Sequence, residues 1–592
     1  VRFSARAAAA KKMDAAPRFT LVFQEEPVQM KKMSRIGLLL SALALASVGS
    51  VATAQDAIKS VTTGITMVGG DLLTIDPAQA EASSQIEVVN QIFVGLTAQN
   101  VLTSETGLGL ATDYTAEVQE DGTVVYTFTM MDNVPWVRYN AEAGAVEQIL
   151  DEAGEPYLVT AADVAYGMLR SLAPETASPY SYVLIPYVVG AAEYNAGEGA
   201  AEDVGVVATG EFELQITAPD NASFTPAIYS LWMARPQPSW AIEAGGDAWT
   251  RPENIATNGP FALKEWVNDV SLTLIRNPFW PGSETIPQAK LDEVTFLFLD
   301  QPQQFAEYQA GNMDAIQVPS AELARVAADP VLSAEFVTGG NPCTYYIGFD
   351  NTEEISGNRH FRRALSMAID REAITTNVLQ GGQEVAGFFT YPALNAAPQQ
   401  EDFPEFAIGF DVEAAQAELA LALEELGLAS VADLGQLTYV YNDTALHSSV
   451  GQAIQQMWSE NLGLDVTLTA RESTGYFASL SEDAPTIYRS GWCQDYSDAN
   501  NFLYDVFFSE ASQNDTGFVN AEFDALVAQA RLETDTEVRR ELYAQAENIL
   551  VNQEAAVAPI YYYNLQLLVK PNVERAPSMT GNEAYYLWDV TN

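Results

Sequence analysis

Residues 452–468 change hydrophobic period in a single step. Ala453, Ile454, Met457, Trp458 and Leu462 keep close to helical spacing, Gly463 ends that run, and Leu464, Val466 and Leu468 then alternate at period two. Helical spacing needs cover for one stripe of a cylinder, whereas alternation needs cover for one face of a sheet. A chain that passes from one to the other across a glycine packs helices against strands. The switch recurs. Residues 361–378 carry Phe361, Leu365, Ile369, Ile374 and Val378 on or near one helical face. Residues 204–207 and 212–216 flank a glycine-containing turn as a hairpin. Two helices over 523–531 and 537–550 lead into a strand over 558–563. The pattern predicts an α/β protein, with the Gly/Ala/Glu-rich stretch 194–203 as a surface loop.

A hydrophobic content of 48% excludes a disordered chain despite a net charge of −51, and 592 residues imply several domains. Near the start, Met30-Lys31-Lys32-Met33-Ser34-Arg35 is basic, an apolar run extends from Ile36 to about Val48, and Ala52-Thr53-Ala54 precedes Gln55. Basic head, short apolar core and small-residue exit predict a secretory signal peptide over 30–54, cleaved near Ala54, and hence an exported protein, periplasmic or extracellular. The apolar run is too short for a membrane span, and no cysteine follows it to carry a lipid. Residues 1–29 read as an over-extended gene start. With the first 54 residues set aside, 20 basic residues stand against 76 acidic ones, a net charge of −56. That balance excludes the basic footprint of a nucleic-acid binder and argues against docking on anionic lipid. No later apolar run is long enough to predict stable membrane insertion. The acidic surface reads either as a solvated shell suited to a salty habitat or as a field that attracts cationic ligands.

Enzymatic motifs are missing. The sequence has no Gly-x-Ser-x-Gly elbow, no His-Glu-x-x-His and no Gly-x-x-x-x-Gly-Lys loop. His360 and His447 are the only histidines, and Cys343 and Cys493 the only cysteines. No metal site and no cofactor is expected, and a carboxylate-based hydrolase is the enzymatic alternative left. One segment does stand out: Gly491-Trp492-Cys493-Gln494-Asp495-Tyr496-Ser497-Asp498-Ala499-Asn500-Asn501-Phe502-Leu503. Acids among large rings are rare unless paired. Asp495 is therefore either a turn or cap residue bonded to nearby backbone or a carboxylate kept for a cation.

That segment closely resembles the ligand-binding segment of oligopeptide-binding proteins, the peptide receptors of ABC importers in the peptide/nickel/opine class of extracellular solute-binding proteins. Further matches follow in order: Ile75-Asp76-Pro77, Tyr126-Thr127-Phe128-Thr129, Val159-Thr160-Ala161-Ala162-Asp163-Val164, Thr257-Asn258-Gly259-Pro260-Phe261 with Lys264-Glu265-Trp266, Arg276-Asn277-Pro278-Phe279-Trp280, and Phe361-Arg362-Arg363-Ala364-Leu365 with Ala368-Ile369-Asp370-Arg371. Each is short; their order and spacing carry the resemblance over nearly the whole chain after the signal.

The resemblance implies a two-lobed periplasmic-binding-protein fold of type II, in its large three-domain variant. The first domain is discontinuous (55–93, 237–342 and 565–592), the second covers 94–236 and the third 343–564. It implies a monomer that captures oligopeptides between its lobes and passes them to ABC permease subunits, without chemistry of its own. The same fold with another solute, a dipeptide or an oligosaccharide, is the alternative. By resemblance Asp495 would hold the ligand's α-ammonium with Tyr180 beside it. Arg489 would meet a peptide carboxylate, and His447 would do so for longer peptides, whereas Leu379 stands where some members carry a lysine for that purpose. Read from the residues alone, Arg489 could equally sit in an internal salt bridge and His447 could be a helix-start residue. Glu81 and Ser83 align with the segment that pairs with peptide main chain. Trp492 and Tyr561–Tyr563 are expected around side-chain pockets, and Cys493 beside the ligand. Cys343 and Cys493 fall where the peptide-binding subgroup has a disulfide, which export also favours over two free thiols. Between residues 138 and 156 an acidic insertion replaces the family's tight turn; it is expected as a surface excursion on the second domain.

Overall fold

The computed structural model describes residues 58–65, 72–473 and 475–591. The expected signal peptide and the stretch before it lie outside the described residues. Three larger sheets organise the remainder. A four-stranded sheet runs in the order Ser60–Ile65, Glu293–Phe298, Ser271–Arg276, Phe261–Val267, its first pair parallel. A four-stranded antiparallel sheet is built from Ala111–Val118, Val124–Met130, Glu213–Ala218 and Val206–Gly210. These two share one apolar core, in which Phe128, Trp136, Trp249 and Phe261 are fully or almost fully buried.

The third sheet has seven strands. Its path is Ala315–Gln317, Val557–Val569, Phe336–Phe349, Ile487–Cys493, Leu437–Asn442, Val466–Arg471, with Glu384–Val385 also paired to Val557–Val569. One face packs on Phe361, Leu365, Ile454 and Trp458, the other on Phe389, Phe502, Phe523 and Tyr543. Two long strands, Phe336–Phe349 and Val557–Val569, cross between the lobes. Phe336 and Leu568 belong to a core with Phe305 and Tyr308 at one end, and Phe349 and Ala558 sit in the second lobe at the other. Their pairing is interrupted between Gly340 and Thr344, where Asn341, Pro342 and Cys343 bulge out of register. Such a bulge bends a ladder and aims its residues sideways.

Local chemistry explains the switch at Gly463. Thr444 caps the Ala445–Leu462 helix by accepting from the His447 N–H (3.1 Å), and Gly463 takes the left-handed conformation (φ 68°) that ends it. Val450, Ile454, Trp458 and Leu462 are its buried stripe, and the Trp458 indole donates to the Leu365 carbonyl at 2.9 Å. The strand then runs over Val466–Arg471, parallel to Leu437–Asn442.

Four expectations change. The helix expected over 361–378 is broken: Arg359–Met367 ends, Asp370 caps a new turn at Arg371–Ala373, and the chain continues as a π-helical turn, Ile374–Leu379. The buried Arg371 guanidinium fills the break by donating to the carbonyls of Ser366, Ile369 and Pro559. The strand expected over 558–563 extends to Val569, because it crosses to the other lobe. The 194–203 loop holds helical turns at Ala191–Asn195 and Ala201–Asp203. The acidic insertion is a hairpin of Val137–Asn140 and Ala145–Gln148 turned at Gly144, but it is not rooted on the 111–218 sheet. Val137 exchanges backbone bonds with Thr257 (2.9 Å each way), and Val137 and Val146 pack on Ala262 of the Phe261–Val267 strand. Its apolar side finds cover there, so the excursion belongs to the first sheet.

Candidate functional site

A cavity of about 1000 Å³ lies between the lobes, beside the interrupted strand pair. That is the upper end of the usual range for ligand sites. Glu81 and Ser83, at the head of the Ser83–Ile92 helix, line one wall with Tyr180 and Trp232. Asn341, Cys343, Ser490, Trp492, Cys493 and Asp495 line the other. Cys343 and Cys493 sit directly opposite each other on neighbouring strands and form the disulfide, on the cavity wall.

Asp495 follows the end of the Ile487–Cys493 strand and is positioned from behind. Its N–H donates to Asn501 Oδ1 (2.8 Å), and Asn501 Nδ2 donates to Asp495 Oδ2 (3.0 Å) and to Asp505 Oδ2 (3.2 Å). The Trp492 indole also donates to Asn501 Oδ1, at 3.3 Å. Asn501 opens the Asn500–Phe507 helix, whose start is held by Asp498. That carboxylate accepts from the Asn500 N–H (3.0 Å) and from Asn395 (3.0 Å), and pairs with Arg539 at 2.6 Å with both groups buried. A paired buried charge is costly to break, so this arrangement fixes the loop. Burial pushes the Asp495 carboxyl up to about 7; the Asn501 bond opposes the rise, the Asp505 charge adds to it, and the Tyr182 hydroxyl opposes it. No Lys, Arg or His pairs with Asp495 among the described residues. Opposite it, Tyr180 and Tyr182 feel its charge, which with burial holds both phenols well above their ordinary range.

The lobes meet around the cavity. Tyr496 stacks on Phe224 (5.4 Å) inside the first lobe's core. Asn500 donates to the Tyr187 hydroxyl (3.2 Å), and Arg531 pairs with Asp220 (2.8 Å) and donates to the Pro186 carbonyl (3.0 Å).

Of the residues singled out in the sequence, Glu81, Ser83, Tyr180, Trp492, Cys493 and Asp495 line the cavity. Five do not. Arg489 is buried just behind the wall, where it donates to Asn442 Oδ1 (3.1 Å) and the Tyr563 hydroxyl (2.6 Å) and lies over the Tyr345 ring at 4.9 Å and the Phe477 ring at 5.7 Å. It has no carboxylate partner among the described residues, so the internal salt bridge is not formed. Tyr563 is its hydrogen-bond partner rather than a pocket wall. His447 is buried against Tyr345; burial and the Arg489 charge push it down to about 2, leaving a neutral ring. Tyr561 and Tyr562 belong to the core: Tyr561 stacks on Tyr345 at 4.8 Å, and the Tyr562 hydroxyl donates to the Phe388 carbonyl at 3.0 Å while its ring packs on Tyr391. Leu379 is buried in the apolar core of the same lobe. Sequence reading missed Tyr182, Asn501 and Asp505. Asn501 stood within the quoted segment, six residues past Asp495, but only the reversal of the chain at 495–500 brings it back.

Comparison with known proteins completes the description. Residues 105–514 match the model of the bacterial extracellular solute-binding proteins, family 5 Middle. The chain is 30% identical to the oligopeptide-binding protein OppA of Bacillus subtilis, over 93% of this chain and 96% of that one. Among solved structures it is similar to the murein tripeptide-binding protein MppA of Escherichia coli (TM-score 0.73, 26% identity, 90% and 99% of the two chains). It is also similar to Haemophilus influenzae OppA in complex with the peptide RPPGFSPFR (TM-score 0.74, 25% identity, 90% and 99%). The fold is that of a two-lobed α/β periplasmic binding protein.

Proposed function

The chain belongs to the family 5 bacterial extracellular solute-binding proteins, and on that footing we propose that it captures oligopeptides in the interlobe cavity and presents them to the permease of an ABC importer. One observation carries the reading: a carboxylate without a basic partner, Asp495, is held rigidly on the wall of a cavity sized for a peptide. An α-ammonium supplies the missing charge and forms the charge-assisted bonds that a partly dry site favours. Tyr180 and Tyr182 close over the same end. An oligosaccharide brings no cation to Asp495, so this site favours the peptide. The bulge at 341–343 supports a hinge between the lobes, with residues 343–564 as the moving body. Arg489 contributes from behind the cavity wall as a source of positive potential for the ligand's carboxylate. Residues 30–54 support export, and the relatives named above are binding proteins rather than enzymes.

Native mass spectrometry of the gently purified protein tests this. Adducts that release peptides on denaturation are expected. Co-purified sugars, or turnover of an added peptide by the protein, would overturn it.

A further inference from the structure

Asp495 shares the cavity wall with three other acids: Glu583, which pairs with Arg575 at 2.5 Å, Glu81, which is exposed, and Asp515. Asp515 lies in a loop fixed by the Asn351 N–H on the Thr516 carbonyl (2.8 Å) and by Asn514 Nδ2 on the Phe518 carbonyl (2.7 Å). Its one side-chain hydrogen bond comes from the Ser481 hydroxyl (2.8 Å), and no base pairs with it among the described residues. Burial pushes its carboxyl up to about 6. Asp515 and Asp495 do not share one site. Tyr346 and Tyr488 feel the charge of Asp515, whereas Tyr180 and Tyr182 feel that of Asp495. Phe477 and Ser481 both line the cavity, at i and i+4 on the Tyr476–Glu482 helix, so Phe477 lies on the same helix face as the hydroxyl that holds Asp515. Among the described residues Arg235 is the one base on the cavity wall, and it donates to the carbonyls of Val89 and Phe93 and to Asn90; Arg489, behind the wall, lies over the Phe477 ring at 5.7 Å and donates to Asn442 and Tyr563.

We propose that Asp515, with Ser481 and Phe477, forms a side-chain pocket that selects peptides carrying a lysine or arginine. An aromatic wall covers the aliphatic stem of such a side chain while its charged head reaches water or a carboxylate. Asp515 supplies the carboxylate, and the Ser481 hydroxyl orients it. The assignment rests on the peptide reading and goes beyond it, because Asp495 is served by the α-ammonium of any peptide.

The test compares tri-alanine analogues in which lysine or its uncharged isostere norleucine is placed in turn at each position, titrated calorimetrically into wild type and Asp515→Asn. At one position lysine is expected to bind about 10-fold or more tighter than norleucine in wild type. In Asp515→Asn that ratio should fall close to one. The wild-type comparison needs no variant, so a misfolded Asp515→Asn does not spare the proposal. If lysine and norleucine peptides bind equally at every position, the Asp515 assignment is overturned and the peptide reading stands. If the lysine preference survives in a folded Asp515→Asn, the assignment is likewise overturned. Failure of every peptide to bind overturns both.

Discussion

Asp495 is a destabilised group kept in a prepared place. Its carboxyl rises from 3.8 to about 7 on folding, with burial as the largest cause. A raised acid costs stability above its folded pKa and costs none below its unfolded one, so the unliganded protein loses this contribution as pH climbs from about 4 to about 7. Asp495→Asn removes the charge and keeps the Asn501 contact. It should raise the unliganded protein's stability at pH 8 by on the order of 1–2 kcal/mol, after allowance for water in the cavity, while weakening peptide binding by about 3–5 kcal/mol. Binding should also follow the proton. Below about pH 7 a neutral Asp495 no longer attracts the ammonium, and affinity should fall up to about tenfold per pH unit. Thermal unfolding and calorimetry at pH 5.5 and 8 measure both; a variant that binds like wild type, or a flat pH profile, would contradict the assignment. Asp495 was legible in the sequence because a lone acid among rings is conspicuous. Arg489 and His447 were not legible as buried residues. Arg489 shares its face of the Ile487–Cys493 strand with Gly491 and Cys493, which line the cavity, and only the packing of its guanidinium on Asn442, Tyr345 and Tyr563 keeps it behind the wall.

At the scale of elements, propensity and spacing located most helices and strands, and failures came where a side chain repairs the backbone. The 361–378 pattern kept its apolar spacing through a break, because Arg371 satisfies the carbonyls that the break exposes. Asp370 was the available signal, being a cap residue inside a helical run. The hairpin over Val137–Gln148 was readable as an insertion, but its seat on Ala262 depends on contacts distant in sequence. The strand pair around the disulfide makes an element-scale prediction. Cys343 and Cys493 close a loop of 150 residues, so replacing both by serine should cost about 2–5 kcal/mol in denaturant unfolding. Non-reducing mass analysis of the native protein should find it two hydrogens lighter than the dithiol. Two thiols open to alkylation would contradict the bridge.

The whole molecule is built so that its two lobes touch through a few specific groups while a cavity stays between them. Arg531 on Asp220 and Tyr496 on Phe224 join the lobes beside Asp495, and the long strands Phe336–Phe349 and Val557–Val569 carry the chain across. The motif order in the sequence pointed to this architecture; the depth of the cavity and the residues that reach it emerged only from the packing. The central claim is that the cavity recognises a peptide by its free α-amine. One calorimetric comparison tests it: the same peptide, free and N-acetylated, titrated into wild type at pH 7.5. Tight binding of the free peptide and a loss of about 100-fold or more on acetylation are expected, since acetylation leaves Asp495 buried without a counter-charge. Equal affinity for the two forms would contradict the account.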